Sequence, residues 1–171
     1  KAYSPPLGIV GSTLRGRAYV SADSGATWTL DGTYTGSHTN VDKQMAWVDH
    51  SAMKADGVTP NPYKDNIYVI YHNGTPAYMN RRTAAGWQTP VQVNGAESTG
   101  TCIGSDVKTN QDGEVFGFWP TTTNRKILVV KSTDGGATYG TPVQIATTFD
   151  GFDIGVPSFN SRRALIYVSG G

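Results

Sequence analysis

The chain has 171 residues, a formal net charge of +1 and a single cysteine, Cys102. That length fits one domain, and near-neutral charge supplies no field to attract nucleic acid or an anionic membrane, so neither is expected as a partner. One cysteine excludes an internal disulfide and a cysteine-based zinc site, no apolar run approaches the roughly 20 residues of a membrane span, and the opening "KAYSPPLGIV" lacks a charged-then-apolar leader, so any signal peptide is expected to be already absent.

Glycine is abundant at 21 residues, and glutamate is confined to Glu97 and Glu114. That balance suits short strands and tight turns, not helices. In chain order, "LGIVGS", "RAYVSAD" and "TWTLDGTY" read as three strands. Four more follow: "MAWVD" (45–49), "NIYVIYH" (66–72), "AYMNRR" (77–82) and "WQTPVQV" (87–93). The Asn-Gly of "NGTP" marks the hairpin between the second and third of these, and Pro90 places the fourth at a sheet edge. The next four are "IGSDVKT" (103–109), "EVFGFW" (114–119), "KILVVKS" (126–132) and "YGTPVQI" (139–145). Two last strands are expected over "DIGVPSFN" (153–160) and "ALIYVSG" (164–170). No stretch carries helical periodicity with caps, so the expected class is all-β without helix.

A repeat underlies this order. "SADSGATW" (21–28) and "STDGGATY" (132–139) both fit Ser-x-Asp-x-Gly-x-Thr-aromatic. A third, degenerate copy, "NRRTAAGW" (80–87), has Arg82 in the aspartate position and is followed by the same Thr-Pro-Val-Gln. The repeating unit is about 50–60 residues, the size of a propeller blade. Full units are expected near 42–94 and 102–146, with partial ones at 1–41 and 153–171. Each eight-residue motif sits between the third and fourth strands of its unit. There Asp23 and Asp134 can accept hydrogen bonds from their own turns. Gly25 and Gly136 permit positive φ, Trp28 and Tyr139 tuck beneath, and Ser21 and Ser132 complete the pattern. This is a folding clip, and neither aspartate is expected to be catalytic.

These motifs resemble the Asp-box, or BNR repeat, of sialidase-type β-propellers, and residues 105–145 resemble one whole blade. The resemblance implies a β-propeller of four-stranded antiparallel blades. About three blades are present of the six or seven such a ring holds, since propellers close with about four to eight. The implied partner is therefore the second half of the ring, from another chain, a missing segment or self-association. The implied function is a sialidase-like glycoside hydrolase acting on extracellular glycans. The alternative is a non-catalytic carbohydrate- or protein-binding scaffold, because fold analogy alone does not fix activity. A Thr/Asn/Tyr-rich, lysine-poor composition points to a secreted or periplasmic protein. No metal or cofactor is expected.

In a propeller the first strand of each blade lines the central channel, and a glycan or small-molecule ligand sits at one mouth. On or beside the first strands lie Asp42, Lys43, Trp47, Asp49, His50, Asp106, Lys108, Asp150, Phe152 and Asp153. Asp49 and Asp106 are the candidate catalytic carboxylates, because burial in an apolar strand would raise a carboxyl toward a useful general acid. Asp42, Trp47, His50 and Asp153 are the candidate ligand contacts. A structural reading stands beside this one: Asp49 and Asp106 cap strand ends or pair with Lys43 and Lys108, and His50 is a loop residue. A sialidase also needs arginines for a substrate carboxylate and a tyrosine nucleophile with a glutamate. Arg81 and Arg82 fall in the degenerate motif at the periphery, whereas Arg162 and Arg163 are expected in a turn near a mouth.

Overall fold

The computed structural model describes residues 1–98 and 100–171, with residues 160–162 described in their backbone alone. Among the described residues every regular element is a strand and none is a helix, and the strands form four antiparallel sheets.

The first sheet holds β1 (Ala2–Ser4), β2 (Leu7–Val10), β3 (Thr13–Ser21) and β4 (Thr29–Thr33). β1 and β2 lie end to end along one side of β3, with Ala2 opposite Ser21 and Leu7 opposite Gly16. Pro5 and Pro6 divide them because proline has no N–H to give a ladder. The line is nevertheless kept, since the Pro6 carbonyl accepts from Arg17 N–H at 3.1 Å. β4 pairs the other side of β3.

The second sheet runs β5 (Val41–Val48), β6 (Ile67–Asn73) and β7 (Ala77–Thr83), and its outer edge is split into β8 (Gly86–Trp87) and β9 (Val91–Gln92). Pro90 falls in that split, where the missing N–H faces no partner strand. The third sheet runs in sequence order through β10 (Asp106–Thr109), β11 (Val115–Pro120), β12 (Lys126–Ser132) and β13 (Val143–Thr147). Its last strand starts later than expected, because Tyr139 serves the preceding turn, with Gly140 N–H donating to the Lys131 carbonyl at 2.9 Å.

The fourth sheet corrects the expected strand pair at the end of the chain. β14 (Asp153–Val156) and β15 (Phe159–Leu165) form a hairpin turned at Pro157–Ser158, so residues 153–160 are not one strand. Proline's preset φ suits the first central position of a turn. The tail then returns to the third sheet, where Val168 N–H donates to the Gly104 carbonyl at 3.2 Å.

The first three sheets pack face to face in succession. β6 makes this legible, since Ile67 through His72 are all buried. Its Tyr68 and Ile70 join Met79, Val107, Trp119 and Leu128 in a core shared with the third sheet. Val69 and Tyr71 point the other way, into a core with Ala18, Tyr34 and Val41 shared with the first. A sheet covered on both faces needs a continuous apolar strand, not an alternating one. The approach is close: a Cβ at Gly117 would sit 2.6 Å from Met79 Sδ. Cys102 is buried in the same core, and burial pushes its thiol up to about 11.

Candidate functional site

The two repeated turns have matching geometry. In the first, the Ser21 hydroxyl donates to Asp23 Oδ1 at 2.7 Å and accepts from Gly25 N–H at 2.8 Å. Asp23 also accepts from Thr27 N–H at 2.9 Å and from the Thr27 hydroxyl at 2.6 Å. These bonds, the Thr27 hydroxyl first, hold the Asp23 carboxyl down at about 2. In the second, Ser132 donates to Asp134 at 2.7 Å and accepts from Gly136 N–H at 2.8 Å, and the Thr138 hydroxyl donates to Asp134 at 2.6 Å. Partial burial pushes the Asp134 carboxyl up, but the bonds from Thr138, Ser132 and Ala137 outweigh it and leave it at about 2.

The turns differ in what lies beneath them. The second rests on the second sheet, where Arg81 Nη1 donates to the carbonyls of Asp134 (3.3 Å) and Gly135 (2.9 Å) and Tyr139 packs on the shared core. The first has no such bed among the described residues. Its Trp28, expected to tuck under, is instead 44% exposed, with Nε1–H donating to the Gly25 carbonyl at 3.1 Å. In the degenerate copy Arg82 replaces the turn's own carboxylate and reaches the first sheet. Its Nε and Nη2 donate to Asp31 at 2.6 and 2.7 Å, and Trp87 Nε1–H donates to the same carboxylate at 2.9 Å.

The first strands do stand side by side: Trp47 Nε1–H on β5 donates to Thr109 Oγ1 on β10 at 3.0 Å. The residues expected to share one mouth are nevertheless divided. Asp42 lies near the start of β5 and Asp49 and His50 just past its end, a separation of about 20 Å at 3.3 Å per residue. They stand at opposite ends of the strand.

Asp49 is fully buried. Its carboxylate accepts from Ser51 N–H at 3.0 Å and Asn61 Nδ2–H at 2.9 Å, and so fastens both sides of the loop 49–66. Asp106, also buried, accepts from Val107 N–H at 2.8 Å, from Lys108 Nζ at 2.8 and 3.0 Å, and from Gly170 N–H in the returning tail at 2.9 Å. Asp42 accepts from Lys43 N–H at 2.7 Å within a bulge where Lys43 has φ +53°. Asp153 pairs with Arg163, which lies within β15 and not in a turn; the Arg162 side chain lies outside the described residues. His50 is exposed after β5.

Open to solvent on this edge are Lys43, Met45 (48% exposed) and Trp47 (37% exposed). The Lys108 ammonium lies 4.5 Å from the Trp47 ring centroid and is held there by Asp106. Aromatic ring, cation and carboxylate thus form one row across β5 and β10.

No family model matches the chain. No curated protein matches it either. Among solved structures it is similar to a protein of unknown function from Dyadobacter fermentans DSM 18053, at 17% identity and a TM-score of 0.51. The match covers 81% of this chain and 41% of that one. At this identity the likeness concerns the fold alone, and this chain spans about two fifths of its neighbour's length.

Sequence reasoning missed the Asn61–Asp49 bond and the Trp47–Thr109 bridge. Neither carries a local signal, since each joins residues brought together only by sheet packing. The Lys108–Asp106 pair was available from the i, i+2 spacing on one strand face.

Proposed function

We propose that this chain is an arc of an Asp-box β-propeller that binds carbohydrate without hydrolysing it. The propeller reading draws support from two sheets four strands across packed face to face, their first strands side by side, and two turns with the same hydrogen bonds, each between the last two strands of its sheet. Further sheets of the same kind would complete the ring, and a secreted or periplasmic setting fits a glycan ligand.

The observation that carries the binding reading is the contrast along the first-strand edge. Asp49 and Asp106 are both committed to backbone N–H groups and side-chain donors that hold the fold. A general acid must instead reach the leaving-group oxygen. Trp47, by contrast, offers an apolar ring beside the Lys108 ammonium, a pairing suited to the apolar face and hydroxyls of a sugar. A glycan array probed with the wild-type chain and with Trp47→Ala tests this. Binding by the first and none by the second is the expected result; equal binding by both removes Trp47 from the site.

A further inference from the structure

The first sheet is one strand narrower than the second and third. Those two each carry an innermost strand, β5 and β10, and the pair stand side by side. The first sheet has no counterpart. β1 and β2 form its inner line, and among the described residues no strand pairs their free side.

That side is open to hydrogen bonding. The register runs unbroken across Pro5–Pro6, from Ala2 opposite Ser21 to Val10 opposite Thr13. Antiparallel pairs alternate between bonded and non-bonded, and the bond from Arg17 N–H to the Pro6 carbonyl fixes the phase. Tyr3, Leu7 and Ile9 therefore aim their N–H and C=O groups away from β3. Pro5, in the same row, has no N–H, and its carbonyl accepts from the Tyr34 hydroxyl at 3.2 Å. A row of unpaired backbone groups is a template for another strand.

A socket for a side chain lies beside this row. An apolar pit of about 170 Å³ is walled by Tyr3 and Pro5 on the first sheet and by Ala46, Val48 and Ile67 on the second. A dry cavity of about 150 Å³ accepts benzene, so the pit has the size of one phenyl or leucyl group. Tyr3 faces the second sheet, its ring centroid 5.4 Å from the Arg82 guanidinium carbon, and a residue placed opposite Tyr3 faces the same way. An added strand thus meets the edge with its backbone and the pit with alternate side chains. It also extends the packing already present between the first and second sheets.

We infer that this edge captures an extended peptide of another polypeptide, antiparallel to β1 and β2 as β5 is to β6, with one aromatic or branched apolar side chain in the pit. The position takes a single strand, whereas a second copy of this chain has every described strand already in a sheet. The edge site does not depend on the Trp47 reading and stands or falls separately from it.

The test is a titration of the isotope-labelled full chain with acetyl-Thr-Val-Thr-Phe-Thr-Val-Thr-amide, followed by amide chemical shifts. Saturable shifts at Tyr3, Leu7 and Ile9 are expected, with a Kd below about 1 mM. The phenylalanine fills the pit, so replacing it by alanine should weaken binding at least about tenfold. Its N–H also faces the edge, so N-methylation of that residue should abolish the shifts. N-methylation of a neighbouring threonine, whose N–H points away, should change the affinity less than about threefold. Ala46→Leu, which narrows the pit, should bring the phenylalanine peptide down to the level of the alanine peptide. Absence of saturable shifts, shifts confined to other strands, tolerance of the N-methylated phenylalanine, or an unchanged preference for phenylalanine in folded Ala46→Leu overturns the site. So does loss of peptide binding as the chain is concentrated, the mark of a second copy on the edge.

Discussion

Replacing Asp134 by Asn should destabilise the fold while leaving ligand binding intact. Asp134 Oδ1 accepts from Ser132 Oγ (2.7 Å), Ala137 N–H (2.9 Å) and Thr138 N–H (2.9 Å), and Oδ2 accepts from the Thr138 hydroxyl (2.6 Å) and shares Thr138 N–H (3.1 Å). Asparagine keeps one oxygen, presents N–H where the second oxygen was, and removes the charge from every bond that remains. Bonds to a charged acceptor are worth about 1.5–3 kcal/mol against about 1 for neutral ones. Much of the turn is solvated, which reduces the difference, so the expected loss is about 1–2 kcal/mol. That corresponds to a fall in Tm of about 2–8 °C for a chain of this size. The pH dependence gives a second reading. The folded carboxyl sits at about 2, below its ordinary 3.8. Its contribution is therefore fully present above pH ~4 and fades as pH falls toward 2. Urea denaturation across that range should show wild type and variant converging at the acid end. Equal stability at pH 7, or a gap that persists unchanged at pH 2, would refute the charge-assisted clip.

Asp49→Asn sets an amide N–H against Asn61 Nδ2, whose own Oδ1 is held by Tyr63 N–H; a loss of about 1–3 kcal/mol and faster proteolysis within 50–66 are expected. Asp31→Asn breaks the two-bond pair with Arg82 and the bond from Trp87, for about 2–3 kcal/mol, read by Trp87 fluorescence during unfolding. The Arg82 bond first, then its charge and Trp87, hold the Asp31 carboxyl low against burial, so this stability is present above the ordinary carboxyl value and is lost as pH falls below it. Gly136→Ala forces a side chain at φ +79°, with its Cβ 2.9 Å from Tyr139 Oη, and should cost about 1–3 kcal/mol in a thermal melt.

The all-β class was legible because the strands advertise themselves. "NIYVIYH" and "KILVVKS" are β-branched and apolar, and the long gap between strands at 49–66 carries no helical period. β1 was missed because Pro5–Pro6 reads as a break, while the register that carries the strand across it depends on β3. The hairpin at 153–165 was misread because an isolated Val-Pro inside an apolar run fits an edge strand as well as a turn. Residue type and strand position placed Trp47 and Lys108 on first strands, and the structure brings the two side chains together. The roles of Asp49 and Asp106 rested on Asn61 and Gly170, whose proximity no local pattern encodes. The separation of Asp42 from Asp49 along β5 follows from strand length alone.

The most direct test takes a glycan that the chain retains on the array, incubates it with the wild-type chain, and weighs what is recovered by mass spectrometry. A scaffold that binds through Trp47 and Lys108 returns the glycan intact, and Trp47→Ala no longer retains it. Recovery of a shortened glycan, with cleavage stopped by Asp49→Asn or Asp106→Asn in a folded chain, would contradict the account and make these carboxylates catalytic.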